Sequence, residues 1–170
     1  MAVITREIEI NAPKAKVWDV LADFGNISRF NPSVPKSYLT SGQTSGVGMT
    51  RHCDLSMMSG ASVEERVLEW VDGERMAIEI YDGEKMPPMR KAIAYLSVSE
   101  RNGKTFVTGT MDYTLKMGPL GRVMDAMMVK PQLGKTWEKL FAGLKHHLET
   151  GETVDHRTSL NLGAVVPVPA

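Results

Sequence analysis

Very little in this chain of 170 residues points to covalent or metal chemistry. It has one cysteine, Cys53, so an internal disulfide is excluded. The adjacent His52 falls on the opposite face of an alternating segment, so the two do not form a ligand pair, and Cys53 reads as a small buried hydrophobe. No His-Glu-x-x-His, Cys-x-x-Cys, Gly-x-Ser-x-Gly or glycine-rich phosphate loop occurs, so zinc, hydrolase, kinase and nucleotide chemistries have no motif to rest on. Adjacent His146 and His147 point about 100° apart on a helix and cannot readily chelate one ion. Net charge is lacking too. Twenty basic and twenty acidic residues cancel, and no Lys/Arg cluster exceeds two neighbours, so nothing attracts nucleic acid or an anionic bilayer. No segment approaches the roughly 18 uninterrupted apolar residues of a membrane-crossing helix. The first ten residues alternate charged and apolar, unlike a signal peptide. The expectation is therefore a cytoplasmic protein with no cofactor, no bound metal, no nucleic-acid partner and no stable membrane insertion.

What is present is patterning, with 42% hydrophobic residues, enough for the core of one domain. Val3 to Ile10 alternates and predicts a strand. Asn11 offers a helix cap and Pro13 a first-turn residue, ahead of a stripe of Val17, Trp18, Val20, Leu21 and Phe24 that ends at Gly25. A second short helix over residues 26–30 closes at Asn31-Pro32. Two hairpins follow between Gly46 and Trp70 and on to Leu115. If Leu55 pairs with Ala61, then Cys53 meets Val63, Arg51 meets Glu65 and Met49 meets Val67, with His52 facing Glu64 on the other side. Asp72-Gly73 reads as a two-residue turn that pairs Val67 with Ile78 and Glu65 with Ile80, bringing Met76 to the same inner face. Asn102-Gly103 likewise pairs Val98 with Val107, Leu96 with Gly109, Ala94 with Met111 and Ala92 with Tyr113. Inner positions Ala92, Ala94 and Gly109 are small, which fits either a tight sheet twist or a cavity. Gly118-Pro119 opens a long amphipathic helix carrying Leu120, Val123, Met124, Met127 and Met128, then Leu133, Trp137, Leu140, Phe141, Leu144 and Leu148, with a bend expected at Pro131 near Lys130. Residues 150–170 lack periodicity and read as an extended tail.

One apolar face thus holds a single opposed charge pair, Arg51 and Glu65, which is the pattern of a pocket with a polar anchor. Glu65 is a candidate acid or base, and Tyr113 a candidate hydrogen-bond donor. The lining expected for a ligand is Met49, Arg51, Cys53, Glu65, Val67, Met76, Ile78, Ile80, Leu96, Met111, Tyr113, Met124, Met128, Trp137 and Phe141, the flexible methionines suiting an adaptable cavity.

Strand, two short helices, a run of antiparallel strands and a long last helix, together with Ile10-Asn11-Ala12-Pro13, Val17-Trp18, Leu21-Ala22-Asp23-Phe24, Val47-Gly48-Met49-Thr50-Arg51, Val63-Glu64-Glu65-Arg66-Val67 and Gly118-Pro119-Leu120-Gly121, resemble the START/Bet v 1-like (SRPBCC) superfamily. Within it the chain looks closest to the polyketide cyclase/dehydrase and lipid-transport group. The resemblance covers residues 1–149 and implies an α+β helix-grip fold, a curved antiparallel sheet wrapped around the C-terminal helix with a hydrophobic ligand between them. By analogy, the connections at Ser56–Gly60 and Asp82–Met89 would gate the entrance. The leading expectation is a binding protein for a small lipid, aromatic or polyketide molecule. The alternatives are a cyclase or dehydratase using Glu65, Arg51 and Tyr113, or an interaction module with a filled core. Oligomeric state stays open, a homodimer included.

Overall fold

The computed structural model describes residues 2–116 and 125–169. In chain order these form β1 (Ala2–Ile10), α1 (Lys14–Ala22), a 3-10 segment (Phe24–Arg29), β2 (Lys36–Leu39), β3 (Thr50–Leu55), β4 (Ala61–Val71), β5 (Arg75–Glu84), β6 (Met89–Arg101) and β7 (Lys104–Leu115). A π-helical turn (Asp125–Val129), the long helix α2 (Lys130–Thr150), a 3-10 turn (Leu162–Ala164) and β8 (Val165–Pro167) follow. The strands make one curved antiparallel sheet in the order β2-β3-β4-β5-β6-β7-β1-β8, with α2 packed on its inner face. This is the helix-grip fold that the resemblance to the START/Bet v 1-like superfamily implies.

Pairing registers follow from the pattern of apolar residues. Arg51 faces Glu65 and Cys53 faces Val63 across β3 and β4, and Ala92 faces Tyr113 and Leu96 faces Gly109 across β6 and β7. Asn102 and Gly103, with φ of 52° and 72°, form the expected two-residue turn. The β4–β5 hairpin reaches its expected pairs of Val67 with Ile78 and Glu65 with Ile80 by another route. Its loop is Asp72-Gly73-Glu74, closed by the Glu74 amide donating to the Val71 carbonyl, and it holds one residue more than the two-residue turn. A bulge at Leu68 cancels the extra residue. The bulge also flips Trp70 to the inner face, where its ring meets Trp18 edge-on at 5.1 Å while Trp18 Nε1 donates to Asp72 at 2.9 Å.

Some expectations from the sequence change. Asn11 does not cap α1: Pro13 holds that position, and the Asn11 amide donates instead to Glu149. The break expected at Pro131 becomes a change of helix type, a π-turn that gives way to α2 at Lys130, with Pro131 in the first α-helical turn, where its missing N–H costs no bond. The wider turn shifts the phase of the apolar stripe, so Val129 is buried while Met127 and Met128 are 75% and 68% exposed. Met128 is therefore not a lining residue of the sheet–helix space. Met124, Leu120 and Val123 lie outside the described residues.

Residues 150–169 are extended in part, as their composition suggests, but they are not loose. Gly151 ends α2 in the left-handed region at φ 79°, the Val154 amide donates to the Arg29 carbonyl with its side chain buried, and Leu160 and Ala164 pack on the core. The segment then adds β8 beside β1, pairing Val165 with Ile8. Alternation is too brief in Val165–Pro167 to mark a strand by itself, and only the neighbouring β1 makes it one.

Candidate functional site

The inner face of the sheet carries one row of residues from edge to edge. Leu39 pairs with Arg51, Arg51 with Glu65 and Glu65 with Ile80; on the other side Ala92 pairs with Tyr113 and Tyr113 with Ala2. Ile80 and Ala92 stand at the middle, one step past the last β5–β6 pair, Glu79 with Ile93. Beyond that pair the ladder between β5 and β6 stops, although β5 continues along β4 to Glu84 and β6 is already paired with β7 from Met89. The sheet forks there. Its two prongs are joined through Lys85, at φ 54°, and Pro87-Pro88, which have no N–H to offer a ladder. Asp82–Glu84, expected as part of a gating loop, belongs to β5.

Polar groups flank the fork. On one side Arg51 Nε donates to Glu65 Oε2 at 2.5 Å and Nη1 donates to the Phe24 carbonyl at 2.8 Å, while the guanidinium carbon lies 3.9 Å from the centre of the Phe24 ring. The Arg51 side chain is 6% exposed and that of Glu65 13%. The Cys53 thiol points at the same Glu65 oxygen from 3.6 Å, and burial, with the Glu65 charge beside it, pushes its pKa up to about 12. Cys53 is therefore a protonated thiol and a poor nucleophile at neutral pH. Among the described residues the other carboxylate oxygen, Glu65 Oε1, has no partner. On the other side of the fork the fully buried Tyr113 donates to Asp125 Oδ1 at 2.5 Å, linking the sheet to the π-turn. Burial first, and then the Asp125 carboxylate, raise the Tyr113 pKa, so the phenol is a donor at neutral pH and not a ready base. Glu65 and Tyr113 thus stand on β4 and β7, on opposite sides of the fork.

The expected lining residues divide sharply. Met49, Val67, Met76, Ile78, Leu96, Met111, Tyr113, Trp137 and Phe141 are buried together in the main core, and Cys53 is buried with Val34 and Val63 in a smaller cluster. Glu65, Ile80 and the small inner residue Ala94 stay only partly buried although they face inward. The room at Gly109 is filled: a Cβ there would stand 2.0 Å from Trp137 and 2.6 Å from Phe141. Phe24 and Asp125 were missed as partners. Phe24 reads as part of a helical stripe and Asp125 carries no pattern of its own, and only the tertiary approach of each to the sheet reveals its role.

A second polar cluster lies on the outer face. His52 bonds Glu64 through Nδ1 and Asp54 through Nε2, and its ring stacks on Tyr38 at 5.2 Å. The hydrogen bond with Glu64, then that with Asp54, raise the His52 pKa above 6.5. A raised folded-state pKa adds stability that is complete below the unfolded value and is lost as pH rises through the folded one. The unfolding free energy from urea titrations should accordingly fall as pH rises from 6 to 9, by less than about 1 kcal/mol for partners this exposed, and His52→Gln should remove that slope.

The family model described as polyketide cyclase / dehydrase and lipid transport matches residues 1–149. The chain belongs to this family. Among solved structures, TTHA0849 from Thermus thermophilus is 17% identical with a TM-score of 0.73, over 88% of this chain and 99% of that one. A START superfamily protein from Mycobacterium smegmatis is 16% identical with a TM-score of 0.68, over 86% and 97%. Ara h 8.0201 is 14% identical with a TM-score of 0.69, over 88% and 99%. Likeness at these identities establishes the fold. A comparison with curated proteins returns no match. The chain thus has the fold of the polyketide cyclase/dehydrase and lipid-transport family, and among its described residues no helix is long and apolar enough to cross a membrane.

Proposed function

We propose that the protein binds a small, mostly hydrophobic molecule of lipid, aromatic or polyketide type, seated on Ile80 and Ala94 and entering where β5 and β6 part. One observation carries this reading: inward-facing Glu65, Ile80 and Ala94 keep solvent access beside a core that is otherwise tightly filled. Glu65 Oε1, which has no partner among the described residues, offers an acceptor to a ligand hydroxyl. Binding is favoured over cyclase or dehydratase chemistry because the groups that would exchange protons are committed. The Tyr113 hydroxyl already donates to Asp125, and Arg51 holds one Glu65 oxygen.

Native mass spectrometry of protein purified gently from its producing cell should show a co-purified hydrophobic compound. The fluorescent probe 1-anilinonaphthalene-8-sulfonate should bind the native protein, and Ala94→Leu, which fills the space beside Ile78 and Met111, should weaken it about tenfold or more while leaving the urea midpoint nearly unchanged. Unchanged probe affinity in Ala94→Leu would remove the sheet–helix space as the site.

A further inference from the structure

A second cavity, of about 220 Å³, lies beside the long helix and away from the fork. It is built largely by the segment after α2, which the family match does not include: Asp155, His156, Thr158, Leu160 and Leu162 supply one wall. Lys139 of α2, Pro32 and Ser33 after the first 3-10 segment and Ser56 after β3 supply the rest. That wall is anchored on both sides, by the Val154 amide on Arg29 and by β8 on β1, so the cavity is a fixed feature of the fold.

The lining holds one carboxylate, Asp155, and one ammonium, Lys139, and the two are engaged differently. Asp155 is occupied by its own turn: Oδ1 accepts from the Arg157 amide at 2.8 Å, the Thr158 amide at 3.1 Å and the Thr158 hydroxyl at 3.2 Å. Those bonds hold its pKa below the ordinary carboxylate range. Lys139, by contrast, has no carboxylate partner among the described residues, nor have the hydroxyls of Ser33 and Ser56 a hydrogen-bond partner there. Leu160, Leu162 and Pro32 provide apolar surface beside these groups. At about 30 Å³ per water, the volume equals roughly seven waters, the size of a small organic molecule.

We propose that this cavity is a second binding site, for a small organic monocarboxylate whose anion pairs with Lys139 and the Ser33 and Ser56 hydroxyls and whose apolar body lies on Leu160 and Leu162. The assignment is independent of any ligand in the sheet–helix space, because no residue is shared between the two.

Benzoate, titrated into the full chain and followed by amide NMR shifts, tests it. Saturable shifts should appear at Ser33, Ser56 and residues 155–160. Lys139→Gln should weaken binding about tenfold, the order of one charge-assisted hydrogen bond, and Lys139→Arg should restore most of the loss. Benzamide, neutral and of the same shape, should shift these amides far less. The proposal is overturned if benzoate moves no amide at the cavity, if the shifts centre on Ile80 and Ala94, if benzamide binds equally well, or if Lys139→Gln binds benzoate like the parent. Lys139 is exposed, so the substitution should leave the urea midpoint in place and a lost signal is not a loss of fold.

Discussion

Gly109→Ala should destabilise the protein by about 3 kcal/mol or more, the upper end for an overfilled core, measured as a lowered urea midpoint. The added methyl would stand 2.0 Å from Trp137 Cζ3 and 2.6 Å from Phe141 Cζ, and both rings are held edge-on to each other at 5.4 Å with no free side to retreat to. Gly109 sits on β7 opposite Leu96 and Arg6, with Trp137 and Phe141 of α2 directly above it. Relief should come from the helix side. Combining Gly109→Ala with Trp137→Leu should cost clearly less than the sum of the two single changes, because the second substitution vacates the space that the first needs. A loss below about 1 kcal/mol for Gly109→Ala alone would mean that helix and sheet are not seated on each other here.

Arg51→Met should cost about 3–5 kcal/mol, since it strands a largely buried Glu65 carboxylate, and the double change Arg51→Met with Glu65→Leu should recover most of that loss. Arg51→Lys should fall between the two. An ammonium can meet the carboxylate but cannot lie flat on the Phe24 ring and bond the Phe24 carbonyl as the planar guanidinium does. The comparison also separates structure from ligand recognition. If the doubly apolar protein keeps its fold and its dye-binding affinity, the ion pair serves folding alone; if affinity drops with the fold intact, the pair anchors the ligand. A loss under about 1 kcal/mol for Arg51→Met would show the pair to be hydrated and the enclosed row absent.

Why the sheet was so legible from sequence follows from these same residues. A strand's side chains alternate with period two, so any register that places Met49, Val67, Ile78 and Met111 together also places Arg51 opposite Glu65 and Tyr113 opposite Ala92. The β4–β5 hairpin shows how strong that constraint is. The turn has one residue more than Asp72-Gly73 suggests, yet the bulge at Leu68 restores the pairing that buries Val67 and Ile78. What stayed hidden depends on contacts between elements far apart in the chain. Nothing local tells that Phe24 cradles Arg51, that Asp125 takes the Tyr113 hydroxyl or that Trp137 fills the gap at Gly109. Met128 was misplaced for a different reason, because a 3.6-residue period was applied across a π-turn that advances by another angle. Most of the methionines and aromatics expected around a ligand are packed against each other and fill space that the apolar pattern assigns to it.

The order of the strands has a last consequence, for how molecules of this protein meet. Each outer margin of the sheet is a short strand, four residues in Lys36–Leu39 and three in Val165–Pro167, and the latter covers the middle of the nine-residue β1. Pro167 and Pro169 bring no amide hydrogen to the outermost positions, and Lys36 places a charge on the other margin. Neither rim offers a stranger's backbone a continuous template, so copies should resist joining sheet to sheet into polymers even in concentrated solution, and any symmetric pair they form must use another surface.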